Sequence, residues 1–269
     1  MPVEITSRKN DLVKEMLHLS DSAAYRREKR MFAAEGARLC SDAARSGLRI
    51  DSLLYTGRAG EKYGSYLDAI RKASPAEYLV SQPVAAYLSG TRSPQGVFCV
   101  CAMPETGRPL PAAAKTLLVL EDMQDPANMG AVLRTAEALG IDGVLLCGSC
   151  CDAYSPKALR ASMGAVFRVP LLRSDDAPAA VRRLNEAGFT TLAAVPDPSA
   201  VPVTSLRRGR PTAAVVGNEG SGLTRETQRA CSVRVTIPMR GRAESLNAAA
   251  SAAILMWEMT RAEAGGEGL

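Results

Sequence analysis

The chain has 269 residues, 46% hydrophobic and 23% charged, enough for two buried cores. No apolar run approaches the roughly 20 residues that cross a bilayer, and Met1-Pro2-Val3-Glu4 lacks the layout of a secretion signal, so a cytoplasmic protein is expected. Of the net charge of +5, residues 1–108 carry +4 and residues 109–269 only +1, which gives the front of the chain either a polyanionic partner or a solvated basic helix face.

In chain order, Leu12, Met16 and Leu19 fall at helical spacing over residues 11–19, followed by the basic cluster Arg26, Arg27, Lys29 and Arg30. Residues 31–36 read as a short strand running into a turn, and residues 37–46 as a helix closed by Gly47. Further strands are expected at 48–55, 77–80 and 96–101, with helices at 63–72 and 84–88. Residues 103–115, with three prolines and a glycine, form the best linker, dividing an α/β domain at 1–102 from a second domain at 116–269.

The second domain opens on the continuously apolar strand 116–120, of the kind buried on both faces. A loop over 121–130 follows, then a helix at 131–139, a strand at 144–147, a helix at 155–163 and a strand at 166–171. A helix at 177–187, strands at 191–195, 213–216 and 233–237, and an apolar helix from 248 to 259 complete the pattern. The alternation predicts a parallel sheet covered on both sides. The stripe from Ala248 to Trp257 reads as core or dimer packing.

Two of these strands end in glycine turns rich in polar residues, at Gly217-Asn218-Glu219-Gly220-Ser221-Gly222 and at Pro238-Met239-Arg240-Gly241, and they read as two walls of one pocket. The first is not a nucleoside-triphosphate loop, because Leu223 stands where that loop needs its lysine. His18, the only histidine, lies far from every strand end, which leaves histidine-based hydrolysis without support. The seven cysteines, Cys40, Cys99, Cys101, Cys147, Cys150, Cys151 and Cys231, are odd in number and read as free thiols rather than a metal site. Asn128, Arg134, Glu219, Ser245 and Asn247 remain as the polar side chains at the strand ends.

Three ordered stretches carry a resemblance. They are Asp125-Pro126-Ala127-Asn128-Met129-Gly130-Ala131-Val132-Leu133-Arg134, Val216-Gly217-Asn218-Glu219-Gly220-Ser221-Gly222-Leu223, and Ile237-Pro238-Met239-Arg240-Gly241-Arg242-Ala243-Glu244-Ser245-Leu246-Asn247. Together with the intervening stretch from Ser155 to Gly164, they resemble the motifs of the SpoU/TrmH family of the SPOUT superfamily, RNA 2′-O-ribose methyltransferases. The front domain, with Thr91-Arg92-Ser93-Pro94-Gln95-Gly96, is similar to the ribosomal-protein-like substrate-binding domain of many members.

The resemblance implies a deep C-terminal trefoil knot, S-adenosylmethionine as methyl donor, and a homodimer whose site draws on both subunits. It gives cofactor contacts to Gly217, Ile237, Met239 and Leu246, and catalytic roles to Arg134, Asn128, Glu219, Ser245 and Asn247. Arginine is too weak an acid to act as a base, so Arg134 is expected to hold a phosphate and stabilise charge on the ribose oxygen. Asn128 is expected to cap its helix or orient Arg134; Glu219 to accept from backbone N–H groups or pair with Arg134; Ser245 and Asn247 to serve also as caps. Arg8, Lys9, Arg26, Arg27, Lys29 and Arg30 are expected on RNA phosphates. The implied substrate is 23S ribosomal RNA; the alternatives are tRNA, or a non-catalytic RNA-binding or ribosome-assembly protein.

Overall fold

The computed structural model describes residues 2–91, 93–104, 113–206 and 210–261, which form two compact units. Unit 1 comprises Met1–Glu105 with Asp152–Phe167, and unit 2 comprises Thr106–Cys151 with Arg168–Leu269. Residues 105–112, most of the expected linker, lie outside the described residues.

Unit 1 begins with β1 (Val3–Ile5), α1 (Asp11–Asp21) and α2 (Ala23–Lys29), followed by β2 (Met31–Glu35), α3 (Ala37–Arg45) and β3 (Ile50–Tyr55). It continues through α4 (Gly57–Lys62), α5 (Gly64–Ala73), β4 (Glu77–Val80), α6 (Gln82–Leu88) and β5 (Val97–Ala102). The five strands run in the order β1-β4-β3-β5-β2. β1, β4 and β3 are parallel, and β5 is antiparallel to both β3 and β2. Of the residues read at helical spacing in α1, Met16 and Leu19 enter a core with Leu54, Phe98 and Val100, while Val13 takes the buried place expected of Leu12, which is only partly buried. The basic cluster is itself a helix: Ser22 caps α2, and Arg30, at φ 55°, ends it by giving its N–H to the Arg26 carbonyl.

Unit 2 opens with β6 (Thr116–Glu121), α7 (Pro126–Ala138) and β7 (Gly143–Cys147); α8 (Pro156–Ser162) follows in sequence. Then come β8 (Leu171–Ser174), α9 (Ala177–Glu186), β9 (Thr190–Ala194), β10 (Val201–Pro202) and β11 (Thr212–Val216). The chain ends with α10 (Arg225–Ala230), β12 (Val233–Thr236) and α11 (Ala248–Thr260). All seven strands are parallel, in the order β10-β12-β9-β11-β6-β7-β8. Leu117, Val119, Ala193, Ala213 and Val215 build one face of the core against Val181 and Leu184 of α9. α11 packs on α7, β11 and β6. Ala252, Leu255 and Met256 are buried by that packing, while Trp257 stays 54% exposed.

Two expectations change. The helix at 126–138 starts five residues before the expected 131, because Asp125 caps it by accepting from the Ala127 N–H at 2.9 Å and Pro126 is the first helical residue. The strand expected at 166–171 is a 3₁₀ turn at Ala165–Phe167 followed by β8. Met163 and Gly164, at φ 51° and 82°, turn the chain, and the Phe167 ring stacks on Phe32 with centroids 5.7 Å apart. That contact, with the Tyr154 ring 5.1 Å from Phe32, draws the 152–167 segment into unit 1 although its sequence neighbours belong to unit 2. Among the described residues no helix is long and apolar enough to cross a membrane, all seven cysteines are free, and no acidic, cysteine and histidine cluster suits a metal ion.

Candidate active site

The three motifs meet at the carboxyl ends of the central strands of unit 2. After β6 the chain turns through Asp122, at φ 54°, and enters α7 with Asn128 in its first turn. Glu219 accepts from the Gln124 and Asp125 N–H groups, both at 3.0 Å, and from Asn128 Nδ2 at 3.1 Å. Asn128 Oδ1 in turn accepts from Asn247 Nδ2 at 3.0 Å. Residues 91 and 119 positions apart in sequence thus share one hydrogen-bonded line. Partial desolvation of its carboxylate opposes the charge on Glu219, an exposed residue, but the Gln124 N–H, the Asn128 amide and the Asp125 N–H outweigh it and hold the carboxyl below its ordinary range.

Asn247 also caps α11, accepting from the Ala249 N–H at 2.9 Å and the Ala250 N–H at 3.2 Å. Asn128 neither caps α7, a task that falls to Asp125, nor touches Arg134. Arg134 lies six residues further on, roughly 1.7 turns, so it faces another side of the helix. It is exposed, with no ion pair among the described residues, so the expected pairing with Glu219 does not occur within one chain. Glu219 is exposed too, so burial of charge is not what marks either residue.

The first glycine turn is held from inside. Asn218 Oδ1 accepts from the Gly220 N–H at 2.9 Å and the Ser221 N–H at 3.0 Å, and its Nδ2 donates to the Asp122 carbonyl at 2.8 Å. Beneath it, buried Glu121 accepts from the Thr224 N–H at 3.0 Å, its hydroxyl at 2.8 Å and the Thr227 hydroxyl at 2.5 Å. Sequence reasoning passed over both residues; the legible signal was a lone carboxylate ending an otherwise apolar strand. Gly217 is needed for the turn itself, since a Cβ there would lie 2.2 Å from the Gly222 carbonyl carbon.

Between the two glycine turns is a cavity of about 440 Å³. Gly217, Ile237, Met239 and Leu246 all line it, as does Ser245, which is exposed in the loop before α11. The end of β9 supplies a further wall that the sequence did not indicate, from Ala194 to Asp197. Asp197 accepts from Arg234 Nη2 at 2.6 Å and from the Ser199 N–H at 2.8 Å. A second recess of about 630 Å³, polar and more open, lies over Gln124, Asp125, Asn128 and Asn247. The two spaces share Asn218, Glu219, Ser245, Leu246 and Ala248 as a common wall. Backbone groups and apolar side chains on one side, and carboxylate and amides on the other, suit a nucleoside-like group beside a polar acceptor.

Residues 115–257 match the SpoU rRNA Methylase family. This chain belongs to that family. As a SpoU methylase it is an RNA methyltransferase, and residues 10–99 match the MRM3-like substrate binding domain. The SpoU chain is 32% identical to an uncharacterized tRNA/rRNA methyltransferase of Synechocystis, over 96% of this chain and 93% of that one. It is 30% identical to the 23S rRNA (guanosine(2553)-2′-O)-methyltransferase RlmP of Bacillus subtilis, over 95% and 98%. An AdoMet-bound rRNA methyltransferase from Sinorhizobium meliloti superposes with a TM-score of 0.86 at 29% identity, covering 96% of this chain and 97% of that one.

In unit 1 of this SpoU methylase the six expected RNA contacts divide. Arg8 lies over the Tyr87 ring at 5.0 Å, Lys9 and Arg27 are exposed, Lys29 lies over Tyr25 at 5.5 Å, and Arg30 donates to the Pro104 carbonyl at 2.9 Å. Arg26 is 3% exposed and is not available to a phosphate. Its Nε donates to Asp152 at 2.7 Å and its Nη1 to the Leu19 carbonyl at 2.6 Å and the Ser20 carbonyl at 3.0 Å, so it ties α1 to the 152–167 segment.

Proposed function

We propose that this SpoU methylase methylates a ribose 2′-hydroxyl in ribosomal RNA, with 23S RNA as the substrate. S-adenosylmethionine is the methyl donor. The observation that carries the reading is the line Asn247–Asn128–Glu219, which lines the polar recess and reaches, at Glu219, the wall that the recess shares with the cavity between the glycine turns. The cavity between the glycine turns fits the donor: Gly217, Ile237, Met239 and Leu246 would hold it through backbone groups and apolar contact. The recess would hold the nucleotide, with Asn128 and Ser245 facing its sugar. The family resemblance and the name of the Bacillus relative support the 2′-hydroxyl and the 23S RNA.

When bound, the donor supplies an electrophilic methyl group on sulfur. The chain's own contribution is to place the hydroxyl in line with it, which gives much of the acceleration in such reactions. The recess would leave the hydroxyl open to solvent, to which its proton would pass. Arg134 stabilises the charge on the oxygen and holds the adjoining phosphate. Because Arg134 points away from Asn128 within its own chain, we place it in the site of a second subunit, with the chain acting as a homodimer. The exposed Trp257 on apolar α11 supports such an interface. The return of residues 237–247 from β12 to an α11 packed on β11 and β6 is read as the family's trefoil crossing.

The test is transfer of labelled methyl from S-adenosylmethionine to separated rRNA and tRNA pools, with the product nucleosides checked for 2′-O-methylation. Incorporation into rRNA, lost in Arg134→Ala, is expected. Incorporation into tRNA alone moves the substrate, in keeping with the tRNA/rRNA naming of the Synechocystis relative. RNA binding without any binding of S-adenosylmethionine sinks the activity in favour of a non-catalytic binder.

A further inference from the structure

Unit 1 contains a cavity of about 530 Å³ beside β2 and α3, built from residues that the proposed chemistry does not use. Its floor is apolar. Leu39 is buried in α3, and Met163 stands 41% exposed at the end of α8, where φ is 51°. Exposed apolar surface on a non-glycine residue in left-handed backbone is an arrangement that local sequence preference does not favour.

The rim is polar and directional. The Ala37 N–H donates to Gln95 Oε1 at 2.9 Å, which leaves the Gln95 Nε2 as an oriented donor. Gly36, at φ 108°, takes a backbone conformation that residues with side chains rarely adopt. Arg160 lines the same cavity; its side chain is exposed and makes no ion pair among the described residues. The acidic groups nearby are already engaged. Glu35 accepts from the Gly90 N–H and the Thr91 hydroxyl, both at 3.1 Å, and from the Ser89 hydroxyl, while Asp42 lies 3.9 Å from Arg38.

An apolar slot, an oriented amide donor and an unpaired guanidinium are the chemistry that recognises an unstacked nucleobase with its phosphate. We infer that this cavity holds one unstacked base of the RNA substrate, at a site separate from the methylated nucleotide. The base lies against Met163 and Leu39, Gln95 Nε2 donates to an acceptor on its edge, and Arg160 meets the adjoining phosphate. The inference rests on the reading of this chain as an RNA methyltransferase. The match of residues 10–99 to a substrate-binding domain takes in every lining residue from Glu35 to Gln95.

The test uses the full chain and fluorescein-labelled single-stranded octaribonucleotides of uridine, adenosine or cytidine, with a blunt RNA duplex as reference, read by anisotropy. Gln95→Glu keeps an oxygen to accept from the Ala37 N–H while removing the donor and adding a negative charge, whose general repulsion of RNA is read on the duplex. Gln95→Glu, Arg160→Ala and Met163→Ala are each expected to weaken single-strand binding about tenfold. Duplex binding and S-adenosylmethionine affinity are expected to hold. Unchanged single-strand affinity in all three, an equal loss on the duplex, or displacement of no oligonucleotide by an unlabelled one overturns the inference. Single-strand binding lost in the three variants of a chain that methylates no RNA pool sinks the proposed activity and leaves the occupant of this cavity supported.

Discussion

At the scale of single residues, the charged groups sort by what surrounds them. Arg26 looks like its neighbours in the basic cluster, yet it is buried on Asp152 and two carbonyls. Removing either partner leaves a buried charge without compensation, so Arg26→Ala or Asp152→Ala is expected to cost about 3–5 kcal/mol in thermal unfolding. Arg27→Ala, at an exposed position, is expected to leave stability intact and to weaken RNA binding in a salt-dependent way. Glu219 carries a pH dependence whose sign follows from its depressed pKa. Its contribution is fully present above the ordinary glutamate value and is lost as pH falls through the lower folded value. The difference in melting temperature between wild type and Glu219→Gln is therefore expected to shrink as pH falls into the acid range. A gap that stays constant would remove the charge from the account. Glu219→Gln is also expected to abolish methyl transfer at neutral pH, because an amide in its place cannot accept from all three donors.

At the scale of elements, the glycine turn after β11 is a small structure in its own right, closed by paired hydrogen bonds between Asn218 and Gly222 at 3.1 and 3.0 Å. Gly217→Ala pushes a methyl group into the Gly222 backbone. Backbone strain of about 1–3 kcal/mol translates into roughly 5- to 150-fold weaker S-adenosylmethionine binding, measurable by equilibrium dialysis, if the turn forms the cofactor wall. Most helices and strands were legible because their periodicity is strong: β4 falls at the expected residues, and α1, α3, α9 and α11 within two residues of expectation at each end. The misread pieces were governed by local chemistry or distant contacts. α7 was begun late because Asp125-Pro126 and Asn128 resemble a loop until the aspartate is seen to cap and the proline to sit at the first helical position. The strand expected at 166–171 failed because Phe167 is claimed by Phe32, more than a hundred positions away.

At the scale of the whole molecule, the position of Arg134 makes the dimer a testable matter of catalysis. Arg134→Ala and Glu219→Gln are each expected to be inactive alone. If one site takes its arginine from the second subunit, mixing the two variants under exchange restores one intact site in each heterodimer, and about a quarter of wild-type activity returns. A site complete within one chain recovers nothing. Arg134→Lys is expected to keep RNA affinity while losing methyl transfer, since lysine retains the charge and not the planar fork.

The sequence by itself determined the α/β character, the parallel sheet of unit 2, the family and the three stretches that build the site, because these are encoded in local periodicity and in ordered motifs. Tertiary structure alone decided that Asn247, Asn128 and Glu219 share one line, that Glu121 and Asn218 hold the turn, and that Arg26 is structural. It also decided that the 152–167 segment packs with the front of the chain. The reason is the same in each case. A side chain's role depends on the partners that long-range packing brings within about 3 Å, and no local pattern in the chain records them.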